Sequence, residues 1–120
     1  MTRTALLCLA LILPAIALAD TITGPVAHVR DGDTFVIGRQ PIRLCGVQAP
    51  EKGHRGAKEA TAYLTRLVRG KAVRCVPVGE GTPCDHRSSK RSHDRVVAQC
   101  FAQGRDIAEA MVAAGLAFDW

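Results

Sequence analysis

A mainly β domain with two helices, folded around one small core, is what the sequence predicts. Three observations predict it. Five short segments have strand character, a helical stripe lies between the third and the fourth, and a second helical stripe follows the fifth.

The domain begins after a leader. Arg3 supplies a positive charge, Ala5 to Leu13 is an uncharged apolar run, and Pro14 breaks it. Ala17-Leu18-Ala19 then offers small residues at the two positions a signal peptidase reads. The run is too short to span a bilayer, so residues 1–19 read as a secretory signal peptide rather than an uncleaved anchor. The expected mature chain is residues 20–120, 101 residues long. It forms one domain by length, exported to the periplasm or secreted.

Val26 to Arg30 has β character and runs into Asp31-Gly32, a tight-turn signal. Thr34 to Ile37 returns as a second strand, Gly38 to Pro41 turns the chain again, and Ile42 to Val47 reads as a third. From Gly56 to Arg69 the period changes. Ala57, Ala60, Leu64, Leu67 and Val68 fall at helical spacing, with Gly70 in the place of a helix-ending glycine. Ala72 to Val78 is the fourth strand, with Pro77 pushing its end to an edge. Residues 79–94 form a long polar loop, and Arg95 to Phe101 is the fifth strand. Asp106 with Glu109 resembles a capping box for a helix striped by Ile107, Ala110, Met111 and Ala114 and ended by Gly115. The order β-β-β-α-β-β-α fits a five-stranded Greek-key barrel of the OB type, with an open α+β sheet as the alternative.

Four cysteines remain after the leader: Cys45, Cys75, Cys84 and Cys100. An even number in an oxidising compartment reads as two disulfides, for which three connectivities exist. Cys75 and Cys100 lie on strands expected to pair antiparallel, which makes them one bridge and leaves Cys45–Cys84 as the other. Cys75, Cys84, His86, His93 and Cys100 have the residue types of a zinc site, but their spacings match no compact zinc pattern. Charge adds a partner. The formal net charge of +5 becomes +4 once Arg3 leaves with the leader. Arg87, Lys90, Arg91 and Arg95 cluster with only Asp94 against them, a patch suited to a polyanion.

Three segments hold the chemistry. In Asp31-Gly32-Asp33-Thr34, two carboxylates one residue apart on a turn can address one hard cation. In Arg43 to Glu51, a strand arginine precedes a carboxylate whose direction Pro50 stiffens. Arg95 starts the fifth strand beneath the basic loop. Two guanidiniums and a carboxylate at one site suit phosphoryl transfer: the forks neutralise phosphate oxygens and the carboxylate activates water.

Val-x-Asp-Gly-Asp-Thr at Val29 to Thr34 and Arg-Leu-x-Gly-Val-x-x-Pro-Glu at Arg43 to Glu51 together resemble the staphylococcal nuclease (thermonuclease) family. Arg95-Val96-Val97-Ala98 and Met111 to Ala117 look like that family too, in its order, so the resemblance runs from Val26 to Phe118. It implies a barrel and an endonuclease that hydrolyses DNA or RNA with Ca²⁺. Asp33 matches the metal-binding aspartate, Arg43 and Arg95 the phosphate-binding arginines, and Glu51 the general base. The 5′ oxygen would leave, giving a 3′-phosphate end.

Two departures stand out. Gln48 replaces a second metal-binding aspartate, losing a ligand charge, and Ala49 replaces a threonine whose implied role is a backbone carbonyl. His93 stands where a substrate-side tyrosine is expected, within a substrate-binding group of Arg87, Lys90, Arg91 and His93.

The leading expectation is therefore an exported nuclease, monomeric and without a stable protein partner. A catalytically weakened OB-fold module that binds nucleic acid is the alternative. Only Phe35, Tyr63, Phe101, Phe118 and Trp120 are aromatic, and Tyr63 and the phenylalanines are at least partly needed in the core, which argues against a pure binder. Short exported relatives also carry the label of exopolysaccharide (succinoglycan) biosynthesis, but no glycosyltransferase motif or sugar site is present.

Overall fold

A computed structural model describes residues 5–10, 12 and 20–120. The expected signal peptide lies mostly outside the described residues; of it, residues 5–10 and 12 carry neither helix nor strand. The elements are β1 (Ile22–Asp31), β2 (Thr34–Ile37), β3 (Gln40–Leu44), β4 (Val47–Gln48), α1 (Ala57–Val68), β5 (Ala72–Pro77), β6 (Arg91–Ser92), β7 (Arg95–Ala102), β8 (Arg105–Asp106), α2 (Ile107–Ala113) and β9 (Phe118–Asp119). The five long strands and two helices keep the predicted order; β4, β6, β8 and β9 are two-residue pieces added at its margins.

The long strands close into a barrel in the order β3-β2-β1-β5-β7, and β7 returns to pair β3 in parallel with Ile42 beside Val96. Closure rules out the open-sheet alternative and removes the long strand edges. β1 serves two neighbours. Ile22 to Pro25 pair with β5 and Val26 to Asp31 with β2, register shifts falling between Val26 and His28 and between Val29 and Asp31. That double duty explains why β1 starts four residues earlier than its own β character suggests.

The core is the inward face of this barrel, with Phe35, Ile42, Leu44 and Val73 against Leu64 of α1 and Ile107 and Met111 of α2, each at most 1 % exposed. Helix α1 buries Ala57, Ala60, Leu64 and Val68 of the predicted stripe, and Leu67 is partly buried beside them. Helix α2 starts where the capping pattern places it, the Asp106 carboxylate accepting the Glu109 N–H at 3.2 Å. Three expectations are corrected. Ala114, placed on the apolar stripe of α2, is the exposed residue that caps the helix. The third strand does not run unbroken to Val47: Gly46 at φ 77° turns the chain, so that β4 pairs with β9 instead. Phe118, assigned in part to the core, is 75 % exposed.

Both disulfides form in the expected pairing, Cys45–Cys84 and Cys75–Cys100. Cys75 sits directly opposite Cys100 across β5 and β7. Two disulfides are compatible with an extracytoplasmic protein.

Gly32 lies in the β1–β2 turn for want of space. A Cβ there would stand 2.7 Å from the Cβ atoms of both Ala49 and Ala60, so only glycine lets the turn, α1 and the segment after β4 meet. Gly32→Val is expected to cost about 1–3 kcal/mol through overpacking, read from the denaturant midpoint. A variant of unchanged stability would show that the three segments separate without penalty.

Candidate active site

The β1–β2 turn points the Asp33 carboxylate inward, where it is 4 % exposed. The turn is fixed from both sides. Asp31 Oδ1 accepts the Asp33 N–H at 3.0 Å, and the Asp33 carbonyl accepts the Leu44 N–H at 2.8 Å. Across β2 and β3 Thr34 pairs with Arg43, which brings the arginine over the same turn. Barrel closure then delivers Arg95 at the start of β7.

The side chains form one network. Asp33 Oδ2 accepts the Ala49 N–H at 3.0 Å and stands 3.5 Å from Arg43 Nη2, and Asp33 Oδ1 accepts from the Thr34 hydroxyl at 3.1 Å. Thr34 Oγ1 in turn accepts from Arg95 Nη1 at 3.1 Å. Arg95 also donates to the Ser92 carbonyl at 3.2 Å and to Ser92 Oγ at 2.8 Å. Arg43 Nη1 donates to the Leu44 carbonyl, and Arg43 Nη2 donates to Gln48 Oε1 at 3.1 Å. Gln48 Nε2 closes the chain on the Ala49 carbonyl at 3.0 Å.

Asp31, Asp33, Arg43, Gln48, Ala49, Pro50, Glu51, Ser92 and Arg95 line a single open cleft of about 260 Å³. The residues expected to catalyse and to hold a metal are thus together. Glu51 is exposed, and its carboxylate has no hydrogen-bond or ion-pair partner among the described residues. Its backbone is anchored, the His54 N–H donating to the Glu51 carbonyl at 2.9 Å.

Two guanidiniums and three carboxylates set the electrostatics of the cleft. Burial pushes the Asp33 carboxyl above its ordinary range, opposed by the Arg43 charge and the Ala49 N–H. Burial pulls the Arg43 guanidinium down; Asp33 opposes this, and the neighbouring Arg95 charge adds to it. Two guanidiniums that repel one another in a low-dielectric cleft gain from an oxyanion placed between them.

The substrate-binding group divides. Arg87 and Arg91 share a hollow next to the cleft with Arg43, Ser88, Ser89, Ser92 and Trp120. Lys90 instead lies back over Gly79, on the far part of its loop. His93 is exposed at the turn between β6 and β7, with φ 58°, and is not among the residues lining the cleft. The loop is folded about Asp85. Its carboxylate accepts from the Thr82 hydroxyl and from the N–H groups of Gly79 and Gly81, which hold its pKa down at about 2. Cys45–Cys84 ties the same loop to the end of β3.

Sequence reasoning missed four neighbours. Thr34 and Ser92 brace Arg95, the first from 61 positions away and the second from within the same turn. Phe118 lines the hollow on the Glu51 side, and Trp120, 51 % exposed, lines the one beside Arg43. The Phe-x-Trp spacing is the available signal for these two, because alternate residues of an extended segment share a face.

A family model described as staphylococcal nuclease homologue matches residues 41–119. The match takes in Arg43, Glu51, the basic loop and Arg95, and begins after the turn that carries Asp33. No curated protein sequence matches the chain.

Proposed function

Because the chain belongs to the staphylococcal nuclease homologue family, whose members are in general calcium-dependent nucleases, we propose that it is an exported phosphodiesterase hydrolysing DNA or RNA in the cleft of Arg43, Glu51 and Arg95. The observation that carries this reading is that two guanidiniums, braced by Asp33, Gln48, Thr34 and Ser92, line one cleft with the Glu51 carboxylate, which has no partner among the described residues.

Arg43 and Arg95 bind the non-bridging oxygens of the scissile phosphate. Both are held before substrate arrives, so the charge that grows on phosphorus in the transition state meets donors that need not reorganise. Glu51 takes a proton from water, which attacks phosphorus in line as the bond to the leaving oxygen breaks. Its freedom from protein partners suits a base that must reach a solvent molecule. Arg87 and Arg91 neutralise neighbouring phosphates, and Phe118 and Trp120 offer faces on which flanking bases stack. Export agrees with the leader and with the two disulfides.

The test is cleavage of end-labelled single-stranded DNA and RNA by the oxidised protein, with and without divalent metal. Cutting that leaves 3′-phosphate ends supports the nuclease. Binding without cutting under any metal favours the second reading, a barrel that only holds single strands, for which Gln48 and the two exposed aromatic rings speak. For the nuclease, Arg95→Ala lowers kcat by about 100-fold or more and weakens oligonucleotide binding far less, since removal of a transition-state donor acts chiefly on turnover. Equal losses in kcat and in binding would make Arg95 a docking residue.

A further inference from the structure

A calcium ion in this cleft would draw on Asp33, Gln48 and the Ala49 carbonyl, and these oxygens already accept from the Ala49 N–H, the Gln48 amide group and Arg43. The cation standing between Asp33 and Gln48 is the guanidinium of Arg43, 3.5 Å from the carboxylate and 3.1 Å from the amide oxygen. Calcium takes roughly six to eight oxygens, and its affinity follows the number of charged ligands. This set offers one carboxylate, one amide and one peptide carbonyl; of the two further carboxylates lining the cleft, Asp31 accepts the Asp33 N–H and Glu51 is the proposed base. Among the described residues no group of three or more His, Cys, Asp or Glu is arranged to hold a metal. The donors do not fit the ion.

We propose that the cleft is a metal-independent phosphate site, in which Arg43 and Arg95 alone supply the positive charge that holds a phosphodiester. The proposal rests on the phosphodiester reading above. Gln48 is the positioning residue that makes this possible. Its Oε1 fixes Arg43 while its Nε2 satisfies the Ala49 carbonyl, a pair of roles that needs an acceptor and a donor on one side chain. A carboxylate at this position has no donor for Ala49 and adds a negative charge, and both changes favour a cation over a phosphate. The neutral amide does the reverse, holding Arg43 without adding a negative charge that would compete with an anion.

Two titrations test it on the oxidised protein: calcium into wild type and Gln48→Asp by calorimetry, and a labelled single-stranded oligonucleotide into each, in calcium and in chelator at equal ionic strength. Wild type is expected to give no saturable calcium heat up to millimolar concentration and the same oligonucleotide Kd in both buffers, within about twofold. Gln48→Asp is expected to bind calcium with one-to-one stoichiometry and to lose about tenfold in oligonucleotide affinity when calcium is removed. Stoichiometric sub-millimolar calcium binding by wild type overturns the proposal, as does a chelator-sensitive oligonucleotide affinity. A folded Gln48→Asp that ignores calcium overturns the part given to Gln48. Failure of the phosphodiester reading looks different: wild type then binds no oligonucleotide in either buffer, whatever its calcium titration gives.

Discussion

Glu51→Gln is expected to lower kcat by at least about 100-fold, the usual scale for a general base, while oligonucleotide affinity stays within a few-fold of wild type. The substitution keeps the shape of the side chain and removes its negative charge and with it the ability to take a proton. Stability should not move, because the Glu51 carboxylate is exposed and has no protein partner among the described residues, and the Pro50–His54 turn holds through backbone atoms. The thermal midpoint therefore serves as an internal control: a loss of rate with an unchanged Tm isolates the chemistry from the fold. A Glu51→Gln protein of near-normal turnover would mean that the water is activated by another group, and Asp31 and Asp33 are the other carboxylates lining the cleft.

How far this could be seen in the sequence depended on how far apart the interacting residues lie. The five strands and two helices are local patterns of period and turn chemistry, and they stand nearly where those patterns put them. The Cys75–Cys100 bridge follows from pairing two strands, and Cys45–Cys84 follows from the first. What stayed hidden is tertiary. Gly32 reads as half of a turn signal, yet its necessity comes from Ala49 and Ala60, which reach it only once the barrel closes. Resemblance makes Arg95 an expected phosphate ligand, but the bond from Arg95 to Thr34 spans 61 positions and leaves no periodic trace. Within the basic loop, charge alone does not distinguish Arg87 and Arg91, which border the cleft's neighbouring hollow, from Lys90, which turns back over Gly79. Burial likewise separates Phe35 from Phe118, two residues that composition treats alike.

Removing the disulfides is expected to produce the largest change in stability and to divide the two bridges by function. They close loops of 39 and 25 residues, for each of which chain entropy gives about 3–4 kcal/mol. Their joint loss, about 7 kcal/mol, is comparable with the whole stability of a domain of this size, so full reduction should unfold it. Singly, the bridges differ in what they hold. Cys75 and Cys100 are fully buried between paired strands, and Cys75→Ala with Cys100→Ala should lower Tm while leaving oligonucleotide affinity unchanged in the protein that remains folded. Cys45–Cys84, packed with Val78 and Val97, instead fastens the loop of Arg87 and Arg91 to the end of the strand bearing Arg43. Cys45→Ala with Cys84→Ala should lower Tm comparably and also weaken the oligonucleotide by about tenfold, because two arginines must then be ordered on binding. The rate at saturating substrate should fall much less, since Arg95 and Glu51 keep their supports. Equal affinities in the two pairs of variants would show that the loop holds its shape through Asp85 alone. In that case the Cys45–Cys84 bridge stabilises the barrel without shaping the surface that meets substrate.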